Sequence, residues 1–327
     1  MESHGDFFAS HGPEAALIAQ SWYQKAAQAY LDHGAGQERI ERVKRKLAEA
    51  GMQGLGNMKE LSASVSIPRE EIDKIITRVT SLPNDQAILA IAHSTWGIPD
   101  LDAVRTLVSQ LLRQSPITAL ATRVLIDDDG LPHQLPEEEV PKYELVQHIV
   151  RGLQMLQQLL LGPIFAALRQ QSALGVDDIM GALARSRSFT DHRLTLVKAG
   201  VATYLQDDHI SSIHVLVPQV EGMVRDLADA LGLPTTALKE GGSRVVPRSL
   251  DELLAEPRLR EAFGEGFSAQ LEAVYTDPMG WRLRHRLAHG NLKDPSVFIR
   301  PMTEIILYTI LQVAKCRITP TTAEEPH

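Results

Sequence analysis

The chain has 327 residues, of which 44% are hydrophobic, 23% charged and only 5% aromatic, and its formal net charge is −8. This length and composition are those of a globular protein with room for two ordinary domains. The negative charge excludes a protein that binds nucleic acid over its whole surface, so any polyanion site must be a local basic patch.

Residues 1–137 are predicted to form a helical N-terminal domain. Apolar residues at near-helical spacing predict a helical hairpin between about Gly12 and Gly51, interrupted at the stretch HGAGQ. Three more helices are predicted, one starting near Pro68 and the others at about Asp85–Thr95 and Asp100–Gln114. The stretch ATRVLIDDDGLPHQLP predicts one short β-hairpin, and the charged stretch PEEEVPK marks the domain boundary.

Residues 138–327 are predicted to form a second, all-helical domain. The stretch KEGGSRVVPRS within it is predicted to be a loop, from its Gly-Gly pair and its proline. The predicted fold class is therefore all-α, a helical N-terminal region followed by a helical bundle, with at most one small β-hairpin. The helices predicted in this domain are Lys142–Gln171, Asp177–Arg185, Asp191–Gln206, His209–Leu231, Ser249–Tyr275, Pro278–His289 and Pro295–Cys316.

Cysteine content and apolar segments predict the compartment. Cys316 is the single cysteine, which excludes an intrachain disulfide or a Cys-x-x-Cys metal site and fits a reducing cytoplasm. The N-terminal stretch MESHGDFFASHGPE lacks the pattern of a signal peptide. The longest apolar runs are too short or too polar to cross a bilayer, so we expect a cytoplasmic protein without a membrane partner.

The segment GWRLRHRLAHGNL carries three arginines and two histidines within eight residues, Arg282 to His289. Asp277-Pro278 has the residue types of a helix start, and Gly290 those of a helix end, so we predict a short helix that ends at His289. At 100° per residue, one face of that helix would carry four basic side chains. These four are Arg282, His285, Arg286 and His289.

Two chemical interpretations of this face compete. Histidines at positions 285 and 289 have the spacing of two metal ligands on one helix, but Arg286 stands where the metalloprotease pattern needs a glutamate. Three arginines would also repel a divalent cation. Guanidinium groups bind phosphate bidentately, so the segment favours an anion over a metal.

The motif RHRLAHG resembles the arginine–polar–x3–histidine motif of the HEPN superfamily (higher eukaryote and prokaryote nucleotide-binding domains). It is most similar to a family of unknown function marked by RNxxxHG. A second stretch, HVLVPQVEGMVRDL (His214–Leu227), resembles the helix of that family with the pattern His-x-Leu-x-Pro-x2-Glu-x3-Arg. The resemblance covers about Tyr143 to Cys316, and this chain departs from it at His285, where the family commonly has asparagine.

The resemblance implies an all-α bundle that forms a homodimer with one composite cleft and acts as a metal-independent endoribonuclease. By this carry-over His289 is the general acid or base and Arg284 stabilises the phosphate. The second proton transfer would come from His285 or from His289 of a second copy, and the products would be a 2′,3′-cyclic phosphate and a 5′-hydroxyl. No metal or cofactor is expected.

Other basic and polar residues near the motif are expected to bind RNA or to support the site, and a protein partner is expected as well. We expect Arg282, Arg286 and Asn291 to contact the RNA, with His214, Glu221 and Arg225 in supporting positions. An antitoxin or another regulatory protein is a further expected partner, because ribonucleases of this superfamily often serve in toxin–antitoxin or antiphage systems.

Less specific interpretations stay open at this point. Arginine-rich helix ends are usually solvated, and a terminal histidine often only caps carbonyl groups. Glu221 and Arg225, four residues apart, are typical of an ordinary helical ion pair. The chain as a whole could also be a non-catalytic module that binds RNA or a nucleotide and dimerises, or a docking platform for proteins.

Overall fold

The computed structural model describes residues 1–56, 68–114, 124–126, 132–171, 173–186, 189–239, 244–290 and 297–316. The described residues are mostly helical, which confirms the predicted fold class. The α-helices are α1 Glu2–Ala9, α2 Ala16–Asp32, α3 Gln37–Gly56, α4 Arg69–Thr80, α5 Asn84–His93, α6 Leu101–Gln114, α7 Val140–Leu156, α8 Gly162–Gln171, α9 Val176–Leu183, α10 Asp191–Leu205, α11 His209–Ala230, α12 Leu250–Leu254, α13 Pro257–Phe263, α14 Glu265–Leu271, α15 Leu283–Ala288 and α16 Arg300–Ala314.

Two 3₁₀ turns, Pro13–Ala15 and Glu137–Glu139, two π-helical turns and two small sheets complete the described structure. The π-helical turn Gln157–Leu161 joins α7 to α8, and the turn Glu272–Thr276 extends α14. The strands form two antiparallel pairs, β1 with β2 and β3 with β4. Their bounds are β1 Val124–Ile126, β2 Pro132–Gln134, β3 Thr236–Lys239 and β4 Arg244–Pro247.

The second sheet corrects the prediction of at most one hairpin. Strand β4 lies within the stretch predicted to be a loop, β3 ends at the first residue of that stretch, and Leu238 pairs with Val245 in the register. The loop was predicted from the Gly-Gly pair and the proline. However, the neighbouring valines at 245 and 246 favour a strand. A short connection that contains glycine is also typical of a hairpin. The first predicted hairpin is present as β1 and β2, and its Asp129-Gly130 turn lies outside the described residues.

The chain divides into two compact units, 1–67 with 111–141, and 68–110 with 142–327. In the first unit, α1, α2 and α3 pack around small and aliphatic side chains. Polar contacts also hold α1 to α3, since the Lys46 ammonium lies 2.6 Å from an oxygen of Asp6 and 3.0 Å from one of Glu2. The buried side chains are Ala19, Tyr23, Ala26, Ala27, Val43, Leu47 and Ala50.

The second unit is built around α16, whose residues from Thr303 to Ala314 are all buried. A helix that is buried on every face belongs in the centre of a bundle, and α5, α10 and α11 pack against it. The buried amide of Gln312 donates to the carbonyl oxygens of Ala92 and Ser94, at 3.1 and 3.0 Å, and so ties α16 to the end of α5.

This division differs from the predicted single boundary between residues 137 and 138. Residues 68–110 belong to the second unit, because Ile88 and Ile91 of α5 are fully buried there and α4 packs on α8. The other break, between 141 and 142, lies close to the predicted boundary. Within the described part of the chain, no helix combines the length and apolarity needed to cross a membrane.

Candidate functional site

The segment that carries the arginines and histidines begins with a tight turn. The Asp277 carboxylate accepts a hydrogen bond from the Met279 amide at 2.8 Å, and the Trp281 amide donates to the Ala273 carbonyl oxygen at 2.8 Å. A Cβ at Gly280 would lie 1.9 Å from that same oxygen, so only glycine fits there. Asp277 therefore caps a turn, and the prediction of a helix starting at Pro278 is wrong.

Helix α15 starts only at Leu283 and has six residues. Arg282 precedes it in the left-handed conformation, with φ of 51°, which is uncommon for a residue other than glycine. The predicted face of four basic side chains required helical spacing from residue 282 onward. Because Arg282 lies outside the helix, that face is not formed as predicted. Arg286 and Arg284 are two positions apart on α15 and lie on opposite sides of it.

The side chains of Arg282, Arg284 and His285 line one cavity of about 490 Å³, called here the arginine cavity. Its other walls come from the π-helical turn that follows α14, from the turn at Asp277, and from α7 and α12. The remaining lining residues are Lys142, Asp251, Glu272, Tyr275, Thr276, Asp277 and Pro278.

The arginine cavity contains charges of both signs. Lys142 lies 3.0 Å from a carboxylate oxygen of Asp277, and Glu272 forms an ion pair with Arg260. Arg282 has no ion-pair partner among the described residues. The local positive charge available to an anion therefore comes from Arg282, from Arg284 and from His285 when it is protonated.

The guanidinium of Arg284 is held by Glu221 of α11. Its Nε donates to Glu221 Oε2 at 2.8 Å, while Glu221 Oε1 accepts from Arg225 Nη2 at 3.0 Å. Arg225 also donates to the main-chain oxygens of Thr235 and Arg248, which flank the second hairpin. The predicted ion pair of Glu221 and Arg225 is present, and in addition the same carboxylate orients Arg284.

The two histidines of the segment are neighbours. The ring centroids of His285 and His289 lie 4.3 Å apart, with an angle of 48° between the ring planes. Desolvation, and then the charges of Arg282, His289 and Arg284, lower the pKa of His285 below its ordinary value of 6.5. His285 is therefore neutral near pH 7 and can accept a proton.

Three predicted site residues stand apart from this group. Asn291 lies outside the described residues. Arg286 lines a different cavity and donates to the Trp281 carbonyl oxygen at 3.5 Å. His214 lies two helical turns before Glu221 on α11, where its ring stacks on Phe298 and its Nδ1 lies 2.8 Å from the Ile210 oxygen.

Sequence reasoning did not single out Lys142, which lines the arginine cavity, or Trp281, which lines the cavity beside Arg286. No local pattern connects Lys142 with a segment more than a hundred residues later, whereas Trp281 lies next to the motif and could have been named. Among the residues whose positions are described, no group of three His, Cys, Asp or Glu side chains could hold a metal ion. Comparisons of the chain with protein-family models, curated proteins and solved structures found no match.

Proposed function

We propose that this protein is a metal-independent endoribonuclease whose reacting groups are Arg284, His285 and His289. The observation that carries the proposal is that His285 lines one cavity with Arg284, which Glu221 orients through its Nε, and that the ring of His289 lies 4.3 Å from that of His285. Such a group supplies a permanent positive charge for a phosphate and two imidazole side chains, which can act as general base and general acid. The motif resemblance to the HEPN superfamily points to the same chemistry.

The cleavage we propose needs only these side chains and the RNA. His285, neutral because its pKa is lowered, takes the proton of a ribose 2′-hydroxyl as the 2′-oxygen attacks the adjacent phosphorus. The bond from phosphorus to the 5′-oxygen breaks, and His289 donates a proton to that oxygen. Arg284 stabilises the charge that builds on the phosphorane oxygens. The products are a 2′,3′-cyclic phosphate and a 5′-hydroxyl.

Two parts of the proposal concern partners. A homodimer would bring a second copy of the motif into one cleft and add a second pair of histidines to it. A biological role in toxin–antitoxin or antiphage defence, with an antitoxin or regulatory protein as partner, rests on analogy with the superfamily alone.

The test is RNA cleavage in the presence of EDTA by the wild type and by the variants Arg284→Ala, His285→Ala and His289→Ala. We expect wild-type cleavage to leave cyclic phosphate ends, and each variant to lose at least about a hundredfold in rate, as the loss of a general acid or base, or of a group that stabilises transition-state charge, typically does. His192→Ala and Arg258→Ala, which change exposed residues of α10 and α13, should cleave like the wild type. Equal cleavage by wild type and all three site variants would refute the proposal.

A non-catalytic RNA-binding module is the second candidate. The observation that favours it is that His289, the proposed acid, is not among the described residues that line the arginine cavity with Arg284 and His285. This candidate predicts RNA binding that weakens as salt rises, with no cleavage. It also predicts that His289→Ala binds RNA like the wild type, whereas for an enzyme that variant retains binding but loses turnover.

A further inference from the structure

A second cavity lies on the other side of α15. It measures about 340 Å³ and is called here the glutamine cavity, after Gln154, Gln157 and Gln158 on one wall. Another wall is formed by Leu283 and Arg286 of α15 and by Trp281, which precedes that helix. The remaining lining comes from Val297, Ile299, Pro301, Met302 and Ile305. A single short helix therefore separates this cavity from the arginine cavity.

The chemistry of the glutamine cavity differs from that of the arginine cavity. None of the described residues that line it is acidic, and most are apolar or aromatic. Gln154 and Gln158 are exposed, lie one helical turn apart and form no hydrogen bond with a described residue. Gln157 is buried, and its Nε2 donates to Glu304 at 3.0 Å, which fixes that wall. The cavity thus offers two free carboxamides above an apolar surface.

These properties match a flat heterocycle with donors and acceptors on its edge. Proteins bind the bases of single-stranded RNA by stacking them on aromatic side chains and hydrogen-bonding their edges. A glutamine carboxamide presents a donor beside an acceptor, which matches N6 and N7 of adenine. Trp281 and the two exposed glutamines supply an aromatic ring and these carboxamides in one cavity.

The position of the cavity connects it with the proposed reaction. Helix α15 is about 10 Å across with its side chains, so a single strand can cross it with a phosphate on one side and a neighbouring base on the other. A π-helical turn lines each cavity, Glu272–Thr276 on one side and Gln157–Leu161 on the other. Such turns are frequent at functional sites.

We infer that the glutamine cavity binds a purine base of the RNA whose phosphate lies at Arg284. The inference rests on the proposed ribonuclease function, and it adds a preference for a purine next to the scissile phosphate. Gln154 and Gln158 read the edge of the base, Trp281 packs against its face, and Arg284 and His289 do not contact it.

Isothermal titration with adenosine tests the inference, because adenosine carries the base without a phosphate. We expect adenosine to bind more tightly than ribose or uridine. The double variant Gln154→Ala/Gln158→Ala should weaken this binding by about tenfold, from the loss of one or two hydrogen bonds. Gln170→Ala, an exposed glutamine of α8 outside the cavity, and Arg284→Ala should bind adenosine like the wild type.

Adenosine binding no tighter than that of ribose, or unchanged in the double variant, would overturn the inference. If the protein cleaves RNA but does not bind adenosine, the proposal of a base-binding cavity is refuted and the ribonuclease proposal is retained. Adenosine binding that the double variant loses, in a protein that cleaves no RNA, would refute the ribonuclease and support the base cavity. The two proposals can therefore fail separately.

Discussion

Glu221 connects α11 with α15 through one carboxylate. It accepts hydrogen bonds from Arg284 of α15 and from Arg225 of its own helix, and its side chain is only 17% exposed. Hydrogen bonds to a charged group contribute more to stability than neutral ones. Because Nε of Arg284 is engaged by Glu221, its terminal amino groups are oriented and remain available to an anion.

Glu221→Gln should show how much the orientation of Arg284 contributes to RNA cleavage, because it leaves the charge of Arg284 unchanged. The amide oxygen of glutamine can still accept, but its NH2 group cannot replace the second acceptor oxygen, so one arginine loses its partner. We expect the free energy of unfolding to fall by about 1–2 kcal/mol and RNA cleavage to slow by about tenfold with little change in RNA affinity. Urea unfolding and single-turnover cleavage measure the two effects.

The control for this substitution is Glu261→Gln, which changes an exposed carboxylate of α13. It should leave both quantities unchanged. If Glu221→Gln cleaves RNA at the wild-type rate, Glu221 has no positioning role. If Glu221 is purely structural, the variant will be less stable but its folded form will cleave RNA as fast as the wild type.

At the level of residues, the motif predicted the neighbours of Arg284 only in part. His285 and His289 lie together because they are one helical turn apart, and this spacing can be read from the sequence. The position of Arg286 could not be read, because it depends on where α15 begins. That start is set by the hydrogen bond from Trp281 to Ala273 and by the left-handed Arg282, and neither has a sequence signal.

At the level of elements, glycines and prolines set breaks that helical periodicity alone did not reveal. The predicted helix Ser249–Tyr275 is divided into α12, α13 and α14, because Pro257 starts a new helix and Gly264 adopts φ of 78°. The long predicted helix Lys142–Gln171 is continuous in the structure, through the π-helical turn between α7 and α8. Its π-helical turn has no counterpart in the hydrophobic pattern.

Gly280→Ala and Gly152→Ala should have opposite effects on stability. A Cβ at Gly280 would meet the Ala273 carbonyl oxygen at 1.9 Å, so the turn must shift, at a cost of about 2–3 kcal/mol. Gly152 lies exposed within α7 with open space around its Cβ position, and alanine should stabilise it by about 0.5–1 kcal/mol. Chemical unfolding of both variants is the measurement, and equal stabilities would contradict the tight approach at Gly280.

At the level of the whole molecule, apolar periodicity was enough to predict a mostly helical protein, but not which helices share a core. Helix α5 precedes the predicted boundary by more than forty residues, yet its Ile88 and Ile91 are buried with the second unit. Apolar periodicity predicts which face of a helix is buried and leaves its partner undetermined. The amide of Gln312, which bonds to the end of α5, has no sequence pattern that would reveal this contact.

Glu304 makes the stability of the second unit depend on pH. It is 1% exposed within α16, and its oxygens accept from Gln157 Nε2 at 3.0 Å and from the Tyr204 hydroxyl at 3.1 Å. Burial raises the pKa of Glu304 above its ordinary value of 4.5. The folded protein therefore keeps this proton at pH values where the unfolded chain has lost it, and the free energy of unfolding falls as the pH rises from 4.5 through the folded-state pKa.

Glu304→Gln should remove this dependence, because glutamine has the same shape and does not titrate. Its amide oxygen can accept from Gln157, and its NH2 group can donate to the Tyr204 hydroxyl. Between about pH 5 and pH 8 the variant should lose less free energy of unfolding than the wild type and should be the more stable of the two at the upper end. Urea unfolding across this range measures the effect, and Glu261→Gln should follow the wild-type curve. The expected slope arises because ionising Glu304 places a negative charge in the protein interior, which is costly. Parallel curves for Glu304→Gln and the wild type would therefore mean that the pH dependence comes from another group.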